Sequence, residues 1–570
     1  MNESQSKVCQ SCHNEFVIEP EDFDFYEKMK VPAPTWCPDC RMIRRMLWRN
    51  EGILFKRKCD ATGVDVLSIL PPDFHCKVYE AAYWRSDAWD PMSYGREYNL
   101  SKPFFVQFNE LFTEIPHPNL VQKNIVDSKY SFGLNQKNCY LACGADDAED
   151  SAYLFSPILH VKDCFDVHSV NYIEHCYDSV DIEKSDGLRF CQNCIGCSDS
   201  WLLYDCRNCT SCFGCVGLRS KNYHIFNKAY SRQDYEKELG KIAPNTYGGL
   251  QRAKEKFNEL KLQIPRKYAS IQKSEHVTGD DIINSKNCIY CFGAKYDSQN
   301  CKYCFRLLDS KDGHDAITVW GGAEQFYEAV TTTAQRTIVT YAVWGGFDIQ
   351  YSYNCYDCNN IFGCVGLRNK SYCILNKQYT KEEYEELVPK IVNHMNEVPY
   401  VGDRGRVYKY GEFFPVEFSP YGYNESMAYD FFPKTKDEVL QLSFRWRDLE
   451  DKQYTVTKKA GDDFGEATDS AEIILNEVYE CEHKGKCNDN CATAFKIIPQ
   501  ELQFLKKMGL PLPRLCFFCR QKERLHLKNP LHLWHRKCMK PGCENEFETP
   551  YAPDRPEIVY CEQCYQAEVM

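Results

Sequence analysis

Pairs of cysteines with only two residues between them occur at both ends of this 570-residue chain, and they constrain its fold more than any other feature. The first two pairs are Cys9 with Cys12 and Cys37 with Cys40. Two intervening residues make a tight knuckle that directs both sulfurs at one ion, and two knuckles complete a tetrahedron. The segment is too short to bury a core of its own. We therefore predict that Zn²⁺ supplies much of the free energy with which it folds.

The same module recurs near the other end of the chain. The interval from Cys12 to Cys37 equals the interval from Cys491 to Cys516. Other positions match in the same register, so the pattern indicates an internal duplication. The matched residues are Phe16, Ile18, Phe25, Lys28, Met29, Pro32, Pro34 and Arg41 in the first copy, and Phe495, Ile497, Phe504, Lys507, Met508, Pro511, Pro513 and Arg520 in the second.

The second copy has one regular knuckle, Cys516 with Cys519, and one irregular knuckle. For the irregular knuckle we predict Cys487 with Cys491, because these two cysteines are closest in sequence. The alternatives to Cys487 are Cys481 and His483.

A third module follows directly. Its cysteines are Cys538, Cys543, Cys561 and Cys564, and their spacing also suits a site with four thiolates. Four thiolates leave no coordination position for water, so all three sites are predicted to be structural. The sequence thus predicts about three bound Zn²⁺ ions.

Two segments resemble a known family. CQSCHNEFVIEPEDFDFYEKMKVPAPTWCPDCR and CATAFKIIPQELQFLKKMGLPLPRLCFFCR are similar to the bacterial "probable zinc-ribbon" (treble-clef) family, which pairs a knuckle followed by Phe with a later CPxCR. Phe517 stands where the second segment would carry its proline. The whole chain also resembles large, cysteine-rich, functionally uncharacterised proteins of small-genome uncultivated bacteria. That broader resemblance implies no activity.

Short repeated units fill the middle of the chain, between residues 127 and 379. Each unit begins with a polar residue, then Asn or Asp, then Cys or a small residue, as in KNCYLACGADD from Lys137 and RNCTSCFGCVG from Arg207. The units start roughly 12 residues apart, too short for a helical repeat and suitable for stacked strands. We predict a mainly β fold with a central parallel β-helix-like solenoid.

A longer duplication divides this region into two halves, 127–230 and 281–379. Helical segments near 231–262 and 380–396 are predicted to close them, each starting at a capping box. The remaining predicted domains are zinc ribbons 1–50, 477–530 and 531–570, an aromatic-rich linking domain 51–126, and connectors 231–280 and 380–476. The duplicated positions are Cys139, Cys206, Cys209, Phe213 and Cys215, which return as Cys288, Cys355, Cys358, Phe362 and Cys364.

The 19 central cysteines have two interpretations. The favoured one is a ladder of buried thiols, because other units place Ser or Gly at the same positions. The alternative is further zinc or iron–sulfur binding, with metal storage or redox sensing as the function. Runs such as Cys191-x2-Cys194-x2-Cys197 favour that alternative.

Basic residues accompany the cysteine modules. Residues 41–58 hold seven basic residues and one acidic residue, and residues 514–540 hold eight and one. Such segments favour contact with RNA or a ribonucleoprotein, or with a protein partner. Alternatively, Arg41 and Arg520 neutralise the charge of the zinc–thiolate centres. The residues predicted to contact the partner are Arg41, Arg44, Arg45, Arg49, Arg520 and Arg524.

Catalysis has little support in the sequence. The common nucleophile, nucleotide-binding and metalloprotease motifs do not occur. A β-helix enzyme acting on carbohydrate remains the alternative, and the aromatic strip 79–98 is interpreted chiefly as packing. Cys59 and Cys76 join no predicted site. The candidate residues of the enzyme alternative are His160, His168 and His175 with Asp163, Asp166 and Asp178.

Composition places the chain among ordinary globular proteins. We see neither a secretory signal nor a run of about 18 apolar residues, so we expect a cytoplasmic protein with reduced thiols and no membrane span. The net charge of −12 argues against a chain-wide nucleic-acid surface. The leading prediction is a non-enzymatic, zinc-binding scaffold or adaptor whose terminal zinc ribbons contact a macromolecular partner, with RNA or a ribonucleoprotein favoured over a protein.

Overall fold

The computed structural model describes residues 3–128, 130–448, 454–487 and 490–569. Strand exceeds helix, at 34% against 25%, and large parallel sheets lie between cysteine groups near both termini. The prediction of a mainly β fold is confirmed at this level.

The N-terminal module consists of a hairpin and two helices, and the linking domain adds short strands and an aromatic-rich helix. Their elements are β1 (Gln5–Val8), β2 (Glu15–Ile18), α1 (Pro20–Met29), α2 (Pro38–Met46), β3 (Phe55–Lys58), β4 (Asp65–Ser68), β5 (Val78–Tyr79), α3 (Ala81–Arg85), α4 (Phe104–Glu114) and β6 (His117–Pro118).

A first parallel sheet follows, which we call the first stack. Successive strands pair side by side in chain order, apart from β14, which pairs with β12. Its strands, with the small hairpin β15–β16 that follows them, are β7 (Gln122–Val126), β8 (Phe132–Lys137), β9 (Tyr140–Glu149), β10 (Ala152–Lys162), β11 (Phe165–Glu174), β12 (Tyr177–Arg189), β13 (Gln192–Ile195), β14 (Ser198–Trp201), β15 (His224–Ile225) and β16 (Lys228–Ala229).

Two helices and a short strand connect this sheet to a second one, which we call the second stack. It is parallel throughout except for its closing hairpin β29–β30. The elements are α5 (Arg232–Ile242), α6 (Tyr247–Gln263), β17 (Arg266–Lys267), β18 (Ile271–Gln272), β19 (Gly279–Asp280), β20 (Ile282–Ile283), β21 (Lys286–Ile289), β22 (Cys291–Lys295), β23 (Gln299–Lys302), β24 (Phe305–Leu308), β25 (Lys311–Val319), β26 (Glu324–Thr332), β27 (Gln335–Tyr353), β28 (Tyr356–Phe362), β29 (Ser371–Ile374) and β30 (Lys377–Gln378).

The C-terminal part returns to short helices and hairpins. Four 3-10 turns also occur in the described chain, at Pro91–Tyr94, Asp403–Gly405, Val416–Phe418 and Tyr423–Glu425. The remaining elements are α7 (Lys381–Glu397), β31 (Tyr400–Val401), β32 (Val407–Tyr408), α8 (Met427–Phe431), α9 (Lys436–Gln441), α10 (Ala471–Asn476), β33 (Tyr479–Glu480), β34 (Ala494–Phe495), α11 (Pro499–Met508), α12 (Phe517–His526), β35 (Trp534–Lys537), β36 (Glu546–Thr549), β37 (Val559–Tyr560) and α13 (Glu562–Val569).

The stacks owe their form to a three-residue rhythm. In the first stack the backbone takes a left-handed conformation at Asn193, Gly196 and Asp199, residue types that tolerate positive φ. The residue after each turn points into the interior, as the buried Cys194 and Cys197 do. Residues twelve positions apart form parallel β-bridges between successive layers, for instance at Gln192↔Tyr204, Ile195↔Arg207, Ser198↔Thr210 and Trp201↔Phe213.

Several predicted features are present. Ser231 and Thr380 cap the helices that follow the two stacks, and each accepts a hydrogen bond from the backbone N–H three residues on. The second sheet begins at Ile271, inside the segment predicted as a helical connector. That the stacks are closed solenoids stays a prediction. None of the helices in the described ranges combines the length and the apolar character needed to cross a membrane.

Candidate metal centres

The first cysteine group lies where the sequence predicted it. The sulfurs of Cys9, Cys12, Cys37 and Cys40 all lie within 4.8 Å of one another. The β1–β2 hairpin carries the first knuckle, and α2 begins directly after Cys37. Cys12 Sγ lies 3.7 Å from Cys37 Sγ. An ion bound tetrahedrally at the Zn–S distance of about 2.3 Å separates two sulfurs by about 3.8 Å, so this group fits Zn²⁺.

The second group contains Cys481, whereas the sequence analysis favoured Cys487. Cys481, Cys491, Cys516 and Cys519 lie within 4.8 Å of one another. Three of the sulfur pairs lie 3.5–3.9 Å apart, again matching a tetrahedral thiolate site. Cys487 belongs instead to a smaller group with His483 and Cys519.

Cys481 belongs to the four-cysteine group because strand β33 positions it. Cys481 directly follows β33, as Cys9 directly follows β1, and both strands pair antiparallel with the strand after the loop. The backbone N–H of Cys37 donates to Cys9 Sγ at 3.2 Å, and that of Cys516 donates to Cys481 Sγ at 3.3 Å. Cys481 therefore occupies the place of Cys9, and the loop from Cys481 to Cys491 is a lengthened knuckle.

The third group also forms as predicted. Cys538, Cys543, Cys561 and Cys564 lie within 4.8 Å of one another, and Cys543 Sγ lies 3.9 Å from Cys561 Sγ. The β35–β36 hairpin and α13 carry these cysteines.

One sulfur in each of the first two groups has a lowered pKa and so favours the thiolate, the form in which cysteine binds metal. Hydrogen bonds from Cys37 and Cys40 lower the pKa of the Cys9 thiol well below its ordinary value. Hydrogen bonds from Cys481 and Cys519 lower the pKa of Cys516 in the same way. In these two groups one sulfur is thus prepared to ionise first, whereas hydrogen bonds within the groups raise the pKa of Cys40 and of Cys519.

The central cysteines do not form such groups in the part of the chain that the structure describes. Their side chains are buried in the stacks, and most of their thiols donate to backbone carbonyls. Cys164 Sγ, for example, lies 3.2 Å from the Lys162 carbonyl oxygen, and Cys176 Sγ lies 3.2 Å from that of Glu174. This arrangement is what the ladder interpretation expects. Cys59 and Cys76 likewise belong to no described metal group.

The predicted partner-contact arginines of the first module are buried instead of exposed. Arg41, Arg44 and Arg45 lie on α2, with at most 1% of each side chain accessible. Asp315 and Glu328 of the second stack hold them. The distances are 2.7 Å for Arg41–Asp315, 3.3 Å for Arg45–Asp315, 2.6 Å for Arg44–Glu328 and 2.7 Å for Arg45–Glu328.

Two more arginines take part at the edge of this surface. Arg49, itself 14% accessible, pairs with Glu51 at 2.7 Å, and Arg306 of the second stack pairs with the same carboxylate at 2.8 Å. Arg44 also bonds Glu412 at 2.5 Å. The expected basic face of the first module is therefore a docking surface within the chain.

The second module docks on the first stack in the same manner. Arg520 bonds Asp166 of the first stack at 2.6 Å and Glu501 of its own module at 2.8 Å. Arg524 bonds Asp166 at 2.9 Å and Asp178 at 3.2 Å. Arg524 is 1% accessible and Asp166 is fully buried, so the pairs made by Asp166 also lie away from solvent, whereas Asp178 is 26% accessible.

The two docking surfaces are copies of each other. Arg41 corresponds to Arg520, and Arg45 to Arg524, by the register of the module duplication. Asp315 lies 149 residues after Asp166, which is the register of the stack duplication. Each module thus contacts the stack in the other half of the chain, so that the two contacts cross.

The aromatic contacts repeat this correspondence. Phe504 stacks on Phe165 with ring centroids 4.4 Å apart, and Phe25 stacks on His314 with centroids 3.6 Å apart. His314 is the counterpart of Phe165 in the second stack. Burial lowers the pKa of His314 from 6.5 to about 3, although Asp315 next to it opposes the shift.

This histidine makes the first docking surface sensitive to acid. The unfolded chain binds a proton at His314 near pH 6.5, whereas the folded chain does so only near pH 3. The stability that neutral His314 contributes is therefore complete above about pH 6.5 and falls as the pH drops towards 3. Replacing His314 with Phe, as in the other stack, should reduce the loss of stability between pH 7 and pH 5 by about 2 kcal/mol. Hydrogen exchange of residues 9–49 at both pH values measures it, and an equal loss in both proteins would contradict it.

The aspartates that were candidates for a carbohydrate-active site form ion pairs with the second module. Asp166 and Asp178 bind arginines of the second module, and Asp163 pairs with Lys507. His168 is buried, and His160 stacks on Tyr172 at the surface. The aromatic strip packs as expected, with Arg368 of the second stack lying over the rings of Trp84 and Trp89.

Sequence reasoning missed the acidic partners of the docking arginines. Asp163 and Asp166 recur in the second stack as Asp312 and Asp315. This duplication was a usable signal, because each aspartate pairs with a lysine or an arginine that is itself duplicated between the two modules.

We compared the chain with protein-family models, with curated proteins and with solved structures. None of these comparisons gives a match. The resemblance to the zinc-ribbon family therefore stays a prediction.

Proposed function

We propose that this chain is a zinc-stabilised scaffold. Zn²⁺ in the three four-cysteine groups keeps the terminal modules folded, and the folded modules clamp the two β-solenoid halves into one rigid body. The rigid body then presents its free surface to a macromolecular partner in the cytoplasm.

The duplicated docking surface is the observation that carries this proposal. The docking arginines of the first and second modules lie on α2 and α12, so they are in position only while these helices are folded beside their cysteine groups. Buried ion pairs are costly to break when one partner is removed, because the other charge stays buried. Losing a zinc ion therefore loosens the molecule far from the zinc itself.

The free surface favours a protein as the partner. On the outer face of the first stack Lys137 and Lys162 both pair with Glu149, at 2.8 and 3.4 Å. Tyr172, with 53% of its surface exposed, lies beside them under His160. Mixed charge around an exposed aromatic ring suits a protein interface, whereas nucleic acid requires a surplus of positive charge.

Elemental analysis of the purified full chain tests the proposal. We expect three zinc ions per chain that stay bound during a challenge with the chromogenic chelator 4-(2-pyridylazo)resorcinol, and no iron. Fewer than three retained zinc ions would contradict the scaffold, whereas five or more zinc ions, or iron in stoichiometric amount, would support the storage or redox alternative. Filter binding with RNA at low salt decides the class of partner. Retention of RNA that weakens steeply with added salt would overturn the choice of a protein.

A further inference from the structure

The lengthened knuckle of the second module carries two additional metal-ligating side chains. The loop between Cys481 and Cys491 contains His483 and Cys487, whereas the matching loop of the first module, between Cys9 and Cys12, is a short knuckle. In the structure, His483, Cys487 and Cys519 bring one ligand atom each within 4.8 Å of the others.

We propose that His483, Cys487 and Cys519 form a second metal site, which shares the Cys519 thiolate with the four-cysteine site. This inference rests on the proposed zinc binding of the second module. The site takes Zn²⁺ or another thiophilic divalent ion. Three protein ligands leave the fourth tetrahedral position open to water or to an incoming thiolate.

The distances around Cys519 suit a bridging sulfur. Cys519 Sγ lies 3.8 Å from Cys481 Sγ and 3.5 Å from Cys516 Sγ on one side. On the other side it lies 3.7 Å from Cys487 Sγ. All three separations approach the value of about 3.8 Å between two sulfurs on one tetrahedral zinc ion.

Charge and access also favour a second ion. One Zn²⁺ with four thiolates has a net charge of about −2, and a second Zn²⁺ with one further thiolate brings the pair to about −1. Cys519 is buried, whereas His483 and Cys487 are only partly buried. The second ion would thus lie on the solvent side of the closed site, where it can exchange.

Metal counting with and without a chelator tests the second site. The full chain is loaded with excess Zn²⁺, desalted and analysed, then challenged with 4-(2-pyridylazo)resorcinol. We expect four zinc ions before the challenge and three after it. Cys487→Ser and His483→Ala should each hold three zinc ions before and after. His535→Ala is the matched control, because this exposed histidine pairs only with Glu546 and Glu548 in the described chain, and it should retain four.

Each other result has a definite meaning. Three zinc ions in the full chain under both conditions, or four before the challenge in Cys487→Ser, would overturn the second site. If Cys487→Ser retains only two zinc ions after the challenge, Cys487 is a ligand of the closed site and the second site is again overturned. Fewer than three retained in the unaltered chain would instead contradict the scaffold itself. Cobalt substitution adds a direct readout, since Cys487→Ser should lose one set of thiolate-to-cobalt absorption bands.

Discussion

Replacing Asp315 with alanine should release the first module from the second stack. Arg41 and Arg45 would then both lose a fully buried carboxylate partner. Removing one member of a buried ion pair costs about 3–5 kcal/mol. In a chain of this size local opening is more informative than a single free energy of unfolding. We therefore expect hydrogen exchange over residues 9–49 to accelerate by a factor on the order of 10²–10⁴.

Asp312→Ala is the matched control for this substitution. Asp312 lies on the same strand and pairs with Lys28 at 3.0 Å, but both side chains are partly exposed, at 33% and 51%. Exposed pairs contribute about 0–1 kcal/mol, so exchange should change little. Equal acceleration by the two substitutions would show that burial of the arginines does not matter. Asp166→Ala should produce the matching effect in the second module, because Arg520 and Arg524 depend on it.

Replacing Cys40 with serine should unfold the first module altogether. Zinc binding contributes roughly 10–16 kcal/mol to small domains of this kind, more than the module can replace by packing. The variant should lose one zinc ion. It should also become sensitive to trypsin at Arg41, Arg44, Arg45 and Arg49, which are buried or largely buried in the docked state.

Cys358→Ser is the comparison for that experiment. Cys358 is buried in the second stack, where its sulfur lies 3.3 Å from the Tyr356 carbonyl oxygen and belongs to no described metal group. Ser310 and Ser352 occupy buried positions in the same stack, so serine is compatible with the interior. Zinc content and the trypsin pattern should stay unchanged. Loss of zinc from this variant would mean that the central thiols bind metal after all.

The sequence was sufficient for features that depend on local spacing. Knuckle spacing located the first and third cysteine groups, and the repeat of about twelve residues predicted stacked strands in both halves, although β7, β18 and β19 lie outside the predicted bounds. The rhythm of Asn, Asp and Gly before buried residues such as Cys194 and Cys209 reflects the left-handed turns between the sides of each layer. Each of these signals depends only on residues that lie a few positions apart in the sequence.

Features that depend on distant contacts were harder to predict. Arg44 and Arg45 are typical of a nucleic-acid surface when only their neighbours are considered, and their carboxylate partners lie in another part of the chain. Spacing alone favours Cys487 over Cys481, because Cys487 is closer to Cys491 in the sequence. The structure selects the cysteine that follows a paired strand, and strand pairing was not visible in that irregular loop.

The crossed docking sets an order of events during synthesis. Arg41 and its partner Asp315 are separated by 274 positions. At roughly 5–20 residues per second, the ribosome takes on the order of 15–55 s to make that stretch. Throughout this interval a folded first module would carry uncovered arginines and no stack to receive them. The ion pairs that hold the first module therefore form only after the second half of the chain has been made.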